Sequence, residues 1–266
     1  MYRLDDELTT PVERGIATVA QALGDEGRVR ILVALLDGRA LPATRLAMEA
    51  GVAPSTASVH LRKLLDTGLL KEVPSPVNRG RYRFYAIAGE EVAALCERFL
   101  ALIPHAPVRS LQAGTRDAAM RSARTCYDHL AGRLAIRLMD AMLTQGMIAS
   151  HDGSFAIGAT GEARFARFGI DLGELRARKR PLIRHCLDWS ERCPHLSGGL
   201  GAALLQQIEE RGWIERSLTD RSATITTAGK LGFQTWFDLN VDDLDMGHAD
   251  HLRDLANDDA VREVIP

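Results

Sequence analysis

No stretch of this chain is apolar for long enough to cross a bilayer, since none approaches the roughly 20 residues that a spanning helix needs. The first residues, Met1-Tyr2-Arg3-Leu4-Asp5-Asp6-Glu7, lack the charged-then-apolar order of a signal peptide, so a cytoplasmic location is expected and no membrane partner. Cysteine is scarce, with four in 266 residues. In a reducing compartment those four are expected to be thiols or ligands rather than structural disulfides. Positive charge is not in excess: 33 Lys and Arg face 35 Asp and Glu, a net charge of -2. That balance excludes whole-chain attraction to nucleic acid and confines any such footprint to a local patch. Glycine-rich phosphate loops and nucleophile elbows are also missing, which argues against an enzyme.

What is present is a folded-protein composition, 46% hydrophobic and 26% charged, long enough for two domains. The stretch from Pro54 to Leu65 reads as a two-faced helix. Ala57, Leu61, Leu64 and Leu65 recur at helical spacing and face a core. Ser55, Thr56, Ser58, Arg62 and Lys63 lie elsewhere on the wheel. A shorter helix over 43–50 and a turn at Gly51-Val52-Ala53 precede it. Helix, glycine turn and second helix with a polar front edge is the helix-turn-helix pattern, whose second helix enters the DNA major groove.

Upstream, helices are expected over 16–23 and 28–36. Gly68 stands where a C-terminal glycine cap belongs. Residues 69–73 and 81–87 read as two strands of a hairpin whose loop carries Arg79 and Arg81. A basic hairpin directly after a helix-turn-helix is a wing, whose arginines reach phosphates or the minor groove. Another amphipathic helix covers 90–103, and Pro104 and Pro107 end it.

Residues 16–103 resemble the ArsR/SmtB family of winged helix-turn-helix regulators. The resemblance rests on Leu23-Gly24-Asp25, Arg28, Arg30-Ile31-Leu32, Ser55-Thr56, Ser58, His60-Leu61, Leu64, Gly68-Leu69, Arg81 and Tyr85. It implies a homodimer on a palindromic double-stranded DNA operator, with repression relieved by a signal. The candidate DNA contacts are Ser55, Thr56, Ser58, His60, Arg62, Lys63, Arg79 and Arg81, with His60 open to a packing role instead. Val59 stands where the family often has a basic residue. The family's familiar metal positions are not filled: the first helix of the motif reads Leu46-Ala47-Met48-Glu49, and the helix at 90–103 offers Cys96 among carboxylates.

Beyond residue 107 the chain repeats itself. His129-Leu130-Ala131-Gly132, Leu134, Gly146-Met147-Ile148, Ile157 and Thr160-Gly161 form one copy. His195-Leu196-Ser197-Gly198, Leu200, Gly212-Trp213-Ile214, Ile225 and Ala228-Gly229 form the other. Each copy reads as helix, strand, turn, strand and helix. The fold class is therefore mainly α with small β-hairpin wings: an N-terminal winged helix-turn-helix plus a C-terminal tandem winged-helix-like repeat. The expected division is an extension at 1–15, a DNA-binding and dimerisation domain at 16–103, an effector-sensing domain at 108–237 and an acidic tail at 238–266.

Just before each copy lies a segment dense in reactive groups, 124–129 and 185–195. Cys126 and His129, three apart, would share a helix face. Cys186, Cys193 and His195 could join them, with Cys126, His129, Cys186 and His195 as the candidate effector or metal site and a Zn ion the sensible metal for such donors. Thiol sensing of oxidants, a small-molecule pocket and a purely structural role stay open beside it, as does the absence of any cofactor. The functional expectation is a DNA-binding regulator, a repressor tuned by a small-molecule, metal or redox effector in the second half. The alternatives are a cysteine-dependent enzyme, with His129 or His195 as base, and a protein-interaction scaffold.

Overall fold

The computed structural model describes residues 10–74, 83–103, 110–151 and 153–244. The chain divides between Cys96 and Glu97 into two compact units.

Helix α1 (Pro11–Leu23) opens the first unit. It starts upstream of the expected residue 16 because Thr10 and Glu13 form a capping box and Pro11 occupies the first turn. Helix α2 (Glu26–Ala34) is capped by the Asp25 side chain, which accepts from the Arg28 amide at 2.9 Å. The short strand β1 (Leu41–Pro42) leads into α3 (Ala43–Ala50). Gly51, with φ 68°, ends α3 in the left-handed conformation that glycine adopts at least cost. Pro54 then occupies the first turn of α4 (Pro54–Asp66), where its missing N–H costs nothing. Strands β2 (Leu70–Val73) and β3 (Phe84–Ile87) pair antiparallel, and β1 takes the other edge of β3. The expected wing tip, with Arg79 and Arg81, lies outside the described residues. Helix α5 (Glu90–Leu102) follows, and the division between the two units falls within it. Ile31, Leu32, Leu46, Ala57, Leu61, Leu64 and Ile87 are among the buried side chains that fix α4 on this scaffold.

The second unit is a sequence of helices and two-stranded hairpins. Helix α6 (Leu111–Ser122) leads into β4 (Arg124–Cys126) and β5 (His129–Ala131), then α7 (Arg133–Thr144). Strands β6 (Ile148–His151) and β7 (Ser154–Ile157), then α8 (Gly161–Arg167) and α9 (Leu172–Ala177), complete the first half. Strands β8 (Arg184–Leu187) and β9 (Pro194–Ser197) open the second, followed by α10 (Gly198–Glu210). Strands β10 (Ile214–Arg216) and β11 (Ala223–Ile225), α11 (Thr227–Phe237) and a 3-10 turn at Val241–Asp243 close it. The order hairpin, helix, hairpin, helix thus occurs twice. One apolar core serves both halves: Leu134, Met139 and Met142 of α7 join Leu200, Leu204 and Ile208 of α10. Trp213, Phe168, Phe233 and Phe237 pack edge-on within it, with Phe168–Trp213 centroids 5.6 Å apart.

One local expectation is corrected. Residues 126–129 are not helical, so Cys126 and His129 do not share a helix face. Tyr127, at φ 58°, turns the chain in two residues, and the flanking residues pair as strands instead.

Candidate functional site

Two regions carry the candidate residues, an exposed helix face in the first unit and a largely buried cluster in the second. On α4 the apolar stripe is turned inward: Ala57, Leu61 and Leu64 are buried, while Leu65 is half-buried. Ser55, Thr56, Ser58, Val59 and Arg62 are exposed, and Lys63 is partly so. The Ser58 hydroxyl donates to the Pro54 carbonyl at 2.9 Å, so its oxygen is held against the helix start. No acidic side chain occupies the exposed first turn of α4, which leaves its N-terminal amides and hydroxyls free of local negative charge.

His60, the remaining candidate on this helix, is buried, unlike its exposed neighbours Ser58 and Val59. Its ring is buried, with Nε2 3.7 Å from Asp25 Oδ1 and Nδ1 3.5 Å from Arg28 Nη1. It lies over Gly27, where a Cβ would come within 3.0 Å of Nε2. Thus His60 joins α4 to the N-terminus of α2, a contact that fits the packing role left open for it in the sequence.

In the second unit, Cys126, His129, Cys186 and His195 come together. One potential ligand atom from each lies within 4.8 Å of the others. The two Sγ atoms are 4.0 Å apart, and the imidazole centroids 5.2 Å. The strand register explains the convergence. Cys126 is the cross-strand partner of His129 on β4–β5, and Cys186 is the cross-strand partner of His195 on β8–β9. Directly opposed residues on an antiparallel pair have their Cβ atoms about 4.5–5.5 Å apart and on one face. Each hairpin therefore presents one thiol and one imidazole side by side. Gly201 of α10 keeps the approach open, since a Cβ there would sit 3.2 Å from the His129 Cβ.

A carboxylate accompanies each pair. Asp128 Oδ1 is 3.5 Å from His129 Nδ1, and Asp188 Oδ2 is 3.8 Å from His195 Nδ1. Asp188 is fully buried and heavily satisfied. It accepts from Arg124 Nη2 at 2.8 Å, the Gly132 amide at 2.7 Å, and the Ser190 amide and hydroxyl. Burial would raise its pKa, but Arg124, His195, Ser190 and the Gly132 amide outweigh it and hold the carboxyl well below the usual range. Asp128 is partly exposed and ion-paired to Arg180. Burial opposes ionisation there too, yet His129 and Arg180 bring its pKa down to about 2. The Cys126 thiol is pushed well up by its hydrogen bond to Cys186 and by burial. Burial presses His129 towards neutrality, but Cys126 and Asp128 prevail and raise its pKa.

Sequence reasoning names the four Cys and His residues as the candidate site and Asp128 and Asp188 as members of a structural ion network, but gives Arg124 and Arg180 no role there. Cys193, named beside them, is buried and stands outside the group of four. A signal that ties Arg124, Asp128 and Asp188 to the site is present. Arg124-Thr125-Cys126-Tyr127-Asp128 and Arg184-His185-Cys186-Leu187-Asp188 share the pattern Arg-x-Cys-x-Asp, each ahead of its His-Leu-x-Gly. Arg180, within a basic run at 176–180 that reads as a solvated face, could be assigned only from the fold. Its neighbours Arg176 and Arg178 pair with Glu162 and Glu174. His248 and His251 lie outside the described residues.

Residues 25–72 match the model of the bacterial regulatory proteins of the arsR family. The chain is 38% identical over 226 residues to YdfF of Bacillus subtilis (strain 168), an uncharacterized HTH-type transcriptional regulator. That similarity spans 85% of this chain and 98% of the relative. Among solved structures, the chain is 26% identical to the homodimeric winged helix-turn-helix DNA-binding domain (fragment 1-100) of Mb0332 from Mycobacterium bovis, covering 41% of this chain and all of that one, with a TM-score of 0.32. Reduced HlyU from Vibrio cholerae N16961 is 26% identical, covering 35% of this chain and 94% of its own, with a TM-score of 0.31.

Proposed function

The chain belongs to the arsR family of HTH-type transcriptional regulators, and from that premise we propose that it is a homodimeric repressor whose operator affinity is set by an effector bound in its second unit. One observation carries the DNA-binding part: α4 buries Ala57, Leu61 and Leu64 and leaves Ser55, Thr56, Arg62 and part of Lys63 at the surface. Arg62 and Lys63, with Arg79 and Arg81 of the hairpin loop, supply phosphate contacts that set register. Ser55, Thr56 and Ser58 lie at the end of the helix that reads base edges. In a two-fold dimer the half-sites lie about 34 Å apart, so the operator is palindromic.

The homodimer is supported by apolar side chains left in solvent on α1 and α5. Val12 and Ile16 on α1, and Phe99 and Leu102 on α5, are all exposed. An amphipathic helix that shows its apolar residues to water is incomplete as a monomer surface. A regulator rather than an enzyme is supported by the burial of Cys126, whereas a nucleophilic cysteine is partly exposed to its substrate.

Effector coupling between two sites typically amounts to about 1–3 kcal/mol, a change of roughly 5–150-fold in DNA affinity. The test is binding of the full-length protein to its own upstream DNA at fixed salt, against unrelated DNA of equal length. Specific binding that weakens about uniformly across sequences in Arg62→Ala, with a shallower salt dependence, is the expected result. Equal affinity for both DNAs at moderate salt overturns the reading.

A further inference from the structure

We propose that Cys126, His129, Cys186 and His195 form a closed, four-coordinate site for a divalent cation of the Zn2+ class, with two thiolates and two imidazole Nε2 atoms as ligands. The distances favour this. Zinc–sulfur bonds of about 2.3 Å and zinc–nitrogen bonds of about 2.0–2.1 Å give a tetrahedron whose edges are about 3.3–3.8 Å. The observed ligand atoms fall within 4.8 Å and the sulfurs at 4.0 Å, so the site closes by small side-chain adjustments.

The orphaned nitrogens point the same way. His129 Nε2 and both ring nitrogens of His195 are buried without a hydrogen-bond partner. An unmade hydrogen bond in a buried site costs about 1–3 kcal/mol. In each hairpin the carboxylate lies on the Nδ1 side, which leaves Nε2 to the cluster. A carboxylate behind a ligating histidine is the usual arrangement of a metal's outer shell, where it fixes the ring and raises its basicity. Asp128 and Asp188 are thus positioning residues. The charges also close: the cation balances two thiolates, Arg180 balances Asp128, and Arg124 balances Asp188. A buried site needs that balance.

A Cys126–Cys186 disulfide is the competing chemistry. It would require the sulfurs to close from 4.0 Å to about 2.05 Å. It would also leave both histidine nitrogens without partners. Four protein ligands, three of them buried, leave no open coordination position, which makes the centre a structural or sensing site rather than a catalytic one. Because the ligands come from β4–β5 and β8–β9, the cation ties the two halves of the second unit together. Its use as the signal for DNA release or capture rests on the regulator reading above.

The test is Co2+ titration of the reduced, untagged full-length chain, followed by displacement with Zn2+. One Co2+ per chain is expected, with the visible bands of tetrahedral cobalt and a thiolate-to-cobalt charge-transfer band, both erased by Zn2+. Cys126→Ser and Cys186→Ser each remove one of the two thiolates, and with it about half of the charge-transfer intensity or more. Asp188→Asn and Asp128→Asn keep the bands but weaken binding by about 10–100-fold, the effect typical of outer-shell carboxylates. Far-UV circular dichroism of each variant separates loss of ligand from loss of fold. Absence of both band sets in the wild-type chain overturns the site, whatever the variants do. So does loss of two thiols per chain on mild oxidation in a protein that binds no cation. A centre that fills without changing operator affinity leaves the site standing and overturns its effector role.

Discussion

The two hairpins β4–β5 and β8–β9 carry the same chemical sentence in different grammar. Both place a cysteine opposite a histidine, with an aspartate two residues after the cysteine. In the first, the turn is two residues long, and Asp128 sits at the rim with Arg180. In the second, the strands are joined by residues 188–193, and Asp188 folds inward to a fully buried position. There it binds Arg124, which belongs to the first hairpin, and the Gly132 amide at the start of α7. The difference teaches that a shared ligand pattern does not imply a shared setting for its carboxylates. Asp188 is held in the protein interior, whereas Asp128 is held at the rim.

That contrast can be broken most severely at Arg124. Its guanidinium is fully buried, pairs with Asp188, donates to the Met120 carbonyl and Ser190, and lies 4.9 Å from the Trp189 ring. Arg124→Ala strands a buried carboxylate, and a loss of about 3–5 kcal/mol is expected in urea unfolding of the second unit. A smaller loss, near that of a surface pair, would mean that Asp188 is anchored by its amide and hydroxyl donors alone.

Next comes the glycine that follows each His-Leu-x. Gly132 has φ 81° and ψ -174°, a region essentially reserved for glycine. A Cβ there would lie 2.7 Å from the Arg121 carbonyl oxygen. Gly198 has φ 79°, and its Cβ would lie 2.9 Å from the Pro181 carbonyl oxygen. Gly132→Ala and Gly198→Ala are each expected to cost about 1–3 kcal/mol from the backbone, with the contact added. Equal shifts in the urea midpoint would mark the two halves as equivalent at this position, whereas a loss at one alone would confine the equivalence to the ligands.

A cap outside the cluster calibrates these numbers. Asp25 closes the N-terminus of α2 and faces His60. Asp25→Ala should lower stability by about 1 kcal/mol, with thermal melting as the readout. His60→Gln should act in the same melting experiment and leave base preference unchanged. A change in operator preference with unaltered melting would return His60 to the DNA surface.

The smallest effect is expected at Arg180. Its pairing with Asp128 is partly exposed, and such pairs are worth about 0.2–1 kcal/mol. Arg180→Ala should therefore barely move the urea midpoint, while Arg124→Ala moves it strongly. Comparable losses would erase the distinction between the buried and the rim carboxylate.

The helix-turn-helix was legible because its information is local. The apolar spacing of Ala57, Leu61 and Leu64, the glycine at 51 and the proline at 54 each act within a turn or two of themselves. The helices at 43–50, 54–66 and 90–102 follow the same short-range logic, as do the hairpins ending at 157 and 225. The strands at 124–126 and 129–131 were not legible, since a two-residue turn at Tyr127-Asp128 carries no glycine or asparagine to announce it. Likewise, nothing local to His60 says whether its ring turns to a groove or to Asp25.

By itself, then, the amino-acid order determined the DNA-reading element, its capped helices and the paired Cys and His segments of the second half. Only the tertiary structure decided that Cys126 and Cys186, 60 residues apart, lie 4.0 Å from each other. It also decided that Arg124 reaches Asp188 across 64 residues. The physical reason is range. Helical periodicity and caps act through bonded neighbours, whereas the cluster exists because one apolar core packs α7 and α10 together and brings their leading hairpins face to face.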